Sequence, residues 1–174
     1  MQSRIVSYDF SDVEATICWI RRNWKDYIQR QRFLTAEKVV LFGEKGFVLY
    51  QADSKKIETQ ENFESEINSV FCTNQKLGFI FKNEDDNGKY RMEIYNKTGK
   101  KSSTYYFDLD YSGMTADDDE VILYNDEEML IYQMGGRVRF RGTFNTAVTG
   151  VMPSWEDGLY WLIDDQSLRE IRIR

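Results

Sequence analysis

The run Leu159-Tyr160-Trp161-Leu162-Ile163 is the last of four short apolar segments, after Val39-Val40-Leu41-Phe42, Leu77-Gly78-Phe79-Ile80-Phe81 and Val121-Ile122-Leu123-Tyr124. Aligned on Phe42, Phe81, Tyr124 and Ile163, they recur at intervals of 39, 43 and 39 residues. Short apolar runs rich in aromatic and β-branched residues and bounded by turn residues read as strands. Neighbours in Leu159–Ile163 point to opposite sides of a strand, so both faces of that strand are expected to be buried. A polar turn and a second strand follow each run: Gly46-Phe47-Val48-Leu49-Tyr50, Arg91-Met92-Glu93-Ile94-Tyr95, Met129-Leu130-Ile131-Tyr132 and Leu168-Arg169-Glu170-Ile171-Arg172-Ile173, three of the four ending in Tyr. The turns Gly43-Glu44-Lys45-Gly46 and Asn125-Asp126-Glu127-Glu128 suit hairpins, and Asn87-Gly88 is a favoured type I′ pair.

Beyond the Tyr, Lys97-Thr98-Gly99-Lys100 and Gly135-Gly136-Arg137 lead into the more polar strands Thr104-Tyr105-Tyr106-Phe107 and Val138-Arg139-Phe140, as suits an exposed sheet edge. A repeat of about 40 to 45 residues built from antiparallel strands has the period of a four-stranded propeller blade. The sequence therefore predicts an all-β fold, a partial or small β-propeller of about four antiparallel four-stranded blades of WD40- or PQQ-like type. It is expected to form one domain over residues 1–174. A partial blade with a short helix would occupy 1–31, blades 32–67, 68–110 and 111–146, and a second partial blade 147–174. Ile5-Val6-Ser7-Tyr8 resembles the Tyr-ending strand, with Tyr8 lying 42 residues before Tyr50, so the chain begins in mid-blade. Between them, Ser11-Asp12-Val13-Glu14 matches a capping box, and Val13, Ile17, Ile20, Trp24 and Ile28 recur at helical spacing. This predicts a helix over 12–29, with a hairpin through Arg22-Asn23 as the competing reading. Unpaired strand edges seek partners. The two partial blades could pair with each other, with a second copy as a homodimer, or with further blades of a longer propeller, and the mid-blade start favours the last.

Composition removes more functions than it adds. The 174 residues contain no histidine, which excludes imidazole catalysis and the commonest zinc ligand. Cys18 and Cys72 are the only cysteines, too few for a disulfide framework or a four-thiolate metal site. Acidic residues outnumber basic ones by 29 to 23, giving a net charge of −6, against the clustered cations that duplex binding needs. The one basic cluster, from Arg21 to Arg32, is interrupted by Trp24, Tyr27 and Ile28 and reads as a solvated face, so no nucleic-acid partner is expected. The first ten residues lack a long apolar run, and neither a signal peptide nor a transmembrane helix is expected in this chain. No phosphate-binding loop, dinucleotide fingerprint or nucleophile dyad is present in the sequence.

Four stretches together carry a resemblance: Tyr8-Asp9-Phe10; Arg32-Phe33-Leu34 leading to Val39-Val40-Leu41-Phe42-Gly43; Lys89-Tyr90-Arg91-Met92-Glu93-Ile94-Tyr95-Asn96-Lys97-Thr98-Gly99-Lys100-Lys101; and Tyr106-Phe107-Asp108-Leu109-Asp110-Tyr111. The chain resembles the C-terminal half of an uncharacterised family of propeller-like proteins of Gram-positive bacteria that carry an N-terminal membrane anchor. The resemblance implies an extracytoplasmic, membrane-anchored full-length protein, with contact to the membrane only through a segment absent from this chain. It brings no catalytic residues.

Two candidate sites emerge. Asp108, Asp110 and Ser112 offer oxygens at alternate positions, Gly113 stands sixth and Asp119 twelfth, the spacing of a calcium loop; the competing reading is a solvated turn. The turn Pro153-Ser154-Trp155-Glu156-Asp157-Gly158 holds Trp155, the aromatic most expected to be exposed, so Trp155, Glu156 and Asp157 form a candidate binding patch for a protein or carbohydrate ligand. Trp161, Tyr160 and Trp19 could extend such a face, although core packing accounts for them as well. Many carboxylates, including Glu84, Asp85, Asp86, Asp157, Asp164 and Asp165, are available for glycoside cleavage, but nothing in the sequence sets two of them across a cleft. The sequence thus favours a non-catalytic binding or scaffold module, with no cofactor other than the candidate Ca2+. A carbohydrate-active propeller enzyme and a self-assembling half-propeller are the alternatives.

Overall fold

The computed structural model describes residues 30–35 and 37–173, in which every regular element is a β-strand. The helix or hairpin expected over 12–29 and the strand at Ile5–Tyr8 lie outside the described residues. The chain forms two compact units, Met1–Glu64 and Ser65–Arg174.

The first unit contains one sheet of four strands, β1 (Arg30–Thr35), β2 (Lys38–Phe42), β3 (Gly46–Gln51) and β4 (Lys56–Asn62), hydrogen-bonded in sequence order. All its pairings are antiparallel. Val39, Leu41, Val48 and Tyr50 make a buried cluster on one face, as the two-residue period of a strand requires.

The second unit holds three sheets built on the same plan. Sheet two is β5 (Ile67–Cys72), β6 (Lys76–Lys82), β7 (Tyr90–Asn96) and β8 (Lys101–Phe107), and sheet three is β9 (Gly113–Ala116), β10 (Glu120–Tyr124), β11 (Glu128–Gln133) and β12 (Arg137–Thr143). Sheet four has three strands among the described residues, β13 (Gly150–Pro153), β14 (Leu159–Ile163) and β15 (Leu168–Arg172). The four apolar runs are thus β2, β6, β10 and β14, the second strand of each sheet. Each is paired on one side with the first strand and on the other with the third.

Sheet three is buried on both faces because its apolar residues alternate between two cores. Val121, Leu123, Leu130 and Tyr132 join Ile80, Met92, Ile94, Tyr105 and Phe107 of sheet two. Ile122, Met129 and Ile131 join Val151, Tyr160 and Leu162 of sheet four. Burial of each large aliphatic side chain contributes roughly 1.5–3 kcal/mol, so the two interfaces hold sheet three from both sides. The third strands of sheets one to three are mostly buried, whereas β15 is largely exposed.

The pairing register repeats as well. In each four-stranded sheet the third and fourth strands slip by one residue beside the Tyr that ends the apolar pattern: at Leu49/Tyr50, Ile94/Tyr95 and Ile131/Tyr132. The residue left over on the outer strand is Glu58, Ser102 or Arg139. A bulge of this kind bends the strand and re-aims a side chain. Two of the three reach the first residue of the second strand. Glu58 pairs with Lys38 at 2.5 Å and Arg139 pairs with Glu120 at 3.2 Å, the same position with the charges exchanged.

Candidate functional site

Arg139 is where that bulge becomes a site. Its guanidinium donates through one nitrogen to Glu120 Oε2 at 3.2 Å and through the other to Asp157 Oδ1 at 2.6 Å. Glu120 opens β10 and is 5% exposed, and the hydroxyl of Tyr160 on β14 donates to the same Oε2 at 2.9 Å. A buried carboxylate needs such partners, because an unpaired charge in low dielectric is far too costly. Burial pushes the Glu120 carboxyl above its ordinary range, against the Tyr160 hydroxyl and Arg139, which favour the charged form. Burial and the bond to Glu120 push the Tyr160 phenol up strongly. Glu93 in sheet two is held in the same way, by the Tyr95 hydroxyl at 2.8 Å and by Arg91 and Lys101.

Glu120, Arg139, Asp157 and Tyr160 line a cleft of about 520 Å³ between the ends of sheets three and four. Asp117, Asp119, Gln133 and Gly135 line one side and the turn from Pro153 to Gly158 lines the other. That turn is closed by Ser154 N donating to the Leu159 carbonyl at 2.9 Å and Leu159 N to the Glu156 carbonyl at 3.1 Å. Gly158 sits at φ 75°, where a side chain is strained, and a Cβ there would come within 2.8 Å of the Ile173 carbonyl. On the opposite side, Asp117 Oδ1 accepts the amides of Asp119 and Glu120, which leaves the Asp119 side chain exposed and without a hydrogen bond among the described residues.

The turn residues singled out in the sequence are thus brought together at this cleft. Trp155 is 91% exposed at its rim, Glu156 pairs with Arg172 at 2.7 Å, and Asp157 is held by Arg139. Tyr160 is buried beneath the cleft and Trp161 is half-buried; Trp19 lies outside the described residues. Glu120 and Arg139 were not singled out from the sequence. Their only signal is a charge at the start of an apolar strand and another in an outer strand.

The structure does not bring the four calcium-loop residues together. Asp108 accepts the amide of Lys89 at 3.0 Å, and the Asp110 carboxylate is ion-paired with the Lys89 ammonium, which holds its carboxyl below the usual range. The Ser112 amide donates to the Tyr124 carbonyl. Asp119 lies in the turn beyond β9, a four-residue strand that spans about 13 Å. The spacing that matches a calcium loop here encloses a strand rather than a turn. Among the described residues no group of three or more acidic or cysteine side chains could hold a metal ion.

Glu120 and Asp157 share one guanidinium in the cleft. Both are held by Arg139, and Glu120 is also held by a phenol, so the cluster is satisfied within itself.

A model of a family of unknown function, DUF5711, matches residues 1–173. The chain belongs to the DUF5711 family. No curated protein matches it. Among solved structures it is similar to BBS1N in a complex with ARL6DN, with a TM-score of 0.58 and 13% identity over 86% of this chain and 49% of that one. It is also similar to Hsv2p of Kluyveromyces lactis, with a TM-score of 0.53 and 10% identity over 84% of this chain and 46% of that one. The chain spans about half the length of these structures. At such identities the likeness carries the fold, which is of β-propeller type, as the recurrence of the apolar runs predicts.

Proposed function

We propose that this chain is a non-catalytic binding module of propeller type and that its recognition surface is the cleft between sheets three and four, with a polypeptide as ligand. The observation that carries the reading is Trp155, 91% exposed on a turn whose neighbours are fixed by Arg139, Gly158 and Arg172. An exposed indole on a held turn is an interface anchor, since tryptophan is enriched among the residues that dominate binding energy. A rigid stack of sheets presenting loops at its end is a frame suited to that task. The closed ion cluster of Glu120, Arg139 and Asp157 supports binding over catalysis, because both carboxylates are held by one guanidinium instead of facing each other across a space for substrate.

The test is selection of a displayed peptide library on the purified chain, with the Trp155→Ala variant as counter-selection and a glycan array in parallel. Peptides that bind the parent and lose about tenfold or more in affinity on the variant, a typical anchor loss, support the reading. Absence of any Trp155-dependent peptide, or glycans as the only ligands, overturns it. The family resemblance further supports an extracytoplasmic, membrane-anchored full-length protein. A topology reporter fused after Arg174 in that protein, active outside the cytoplasm, is the expected result, and cytoplasmic activity would refute it.

A further inference from the structure

Five carboxylates line the cleft, from Asp117, Asp119, Glu120, Glu156 and Asp157, against the single cation Arg139. Three have their charge answered locally: Glu120 and Asp157 by Arg139, and Glu156 by Arg172. Asp117 faces backbone amides. The Asp119 carboxylate remains exposed, its side chain making no hydrogen bond among the described residues, and it lines the cleft together with Trp155. A further polar group is unanswered on the Trp155 side, since Ser154 Oγ is buried and makes no hydrogen bond among the described residues. A buried hydroxyl left in this way costs free energy until a partner reaches it.

Resting on the binding reading above, we propose that the cleft receives an arginine side chain of the partner polypeptide, its guanidinium stacked on the Trp155 indole and its N–H edge turned toward Asp119. Charge fixes the sign of the ligand. An anionic or phosphorylated group would meet an acidic cleft whose one guanidinium is already shared by two carboxylates. The number of aromatics fixes its shape: a quaternary ammonium is held by a cage of several rings, whereas one exposed indole offers a single face, which a planar guanidinium covers. Arginine also carries five donors in a fork, enough to serve a carboxylate while stacked. Lysine would supply the charge without the plane.

The experiment is a titration of the full chain with N-acetyl-arginine amide, N-acetyl-lysine amide and N-acetyl-norleucine amide, followed by the indole N–H resonances. Trp155 is assigned by its loss in Trp155→Phe. The expected result is a saturable shift of the Trp155 resonance with arginine, a weaker one with lysine and none with norleucine. Asp119→Asn should weaken the arginine response by about threefold to fivefold, as for an exposed ion pair. An equal response to norleucine, or no response to arginine, overturns the proposal. The peptide selection separates the two failures. Trp155-dependent peptides lacking arginine would sink the arginine reading while leaving the binding module standing, and their complete absence would sink both.

Discussion

Tyr160→Phe removes one oxygen from the middle of the sheet three to sheet four interface and leaves the ring that packs there. Tyr160 is 1% exposed and its hydroxyl donates to Glu120 Oε2 at 2.9 Å, so the substitution takes one of two partners from a buried carboxylate. A hydrogen bond to a charged group is worth about 1.5–3 kcal/mol, and one to a neutral group about 1. The cost therefore depends on pH in a fixed direction. Burial raises the folded Glu120 carboxyl above its unfolded value, so the native state holds a proton over a window in which the unfolded chain has released it. Above that window the carboxylate is charged and the variant should lose about 1.5–3 kcal/mol; below it the loss should shrink toward about 1 kcal/mol. Urea denaturation of the parent and the variant, followed by circular dichroism at about pH 8 and about pH 4, measures both. A loss under about 0.5 kcal/mol at both values, or a loss larger in acid, would refute the reasoning.

Three further outcomes are expected. Glu120→Gln cannot ionise, and a raised folded carboxyl weakens the parent as it ionises, so the stability of the parent relative to this variant should fall as pH rises through the Glu120 window and be flat above it; an increase over that range in paired urea melts would contradict the sign. Gly158→Ala should cost about 1–3 kcal/mol in thermal melts, because of the φ of 75° and the 2.8 Å approach to Ile173, while Gly135→Ala, where a Cβ meets nothing within 4 Å, should stay within about 0.5 kcal/mol. Calcium at millimolar concentration should leave the melting temperature unchanged, since β9 stands between the acidic residues at its two ends; a ligand at about a hundred times its Kd would add about 2.7 kcal/mol and show plainly.

What the sequence revealed follows from where burial is strongest. β2, β6 and β10 are buried on both sides and β14 on the side of Tyr160 and Leu162, with Trp161 and Ile163 half-buried, so each is a compact apolar run and the period of about forty residues stands out. The first strands β9 and β13 have four residues each, and β9, with the sequence Gly-Met-Thr-Ala, is only half-buried throughout, which leaves no pattern to read. β4, Lys-Ile-Glu-Thr-Gln-Glu-Asn, is an outer strand with mostly exposed polar residues and was equally silent. Trp155 was legible because a large aromatic stood in a turn between a proline and a glycine, away from either strand pattern. Arg139 was not, because its direction depends on a one-residue slip between β11 and β12, and two strands paired with or without a bulge have the same composition. Glu120 and Tyr160 lie forty residues apart and meet only because consecutive sheets stack. The calcium-loop spacing is subject to the same limit of a linear pattern: between Ser112 and Asp119 the fold extends the chain into β9.

The central claim is that sheet three lies between two others, so that neighbouring residues of β10 look in opposite directions. Nuclear Overhauser contacts from the methyl groups of Ile122 and Leu123 test this directly. Ile122 should report Tyr160 and Val151 of sheet four, and Leu123 should report aromatic or aliphatic protons of sheet two, with no overlap between the sets. Contacts from both methyls to one common set of residues, or backbone contacts joining β8 to β9 in a continuous sheet, would contradict it.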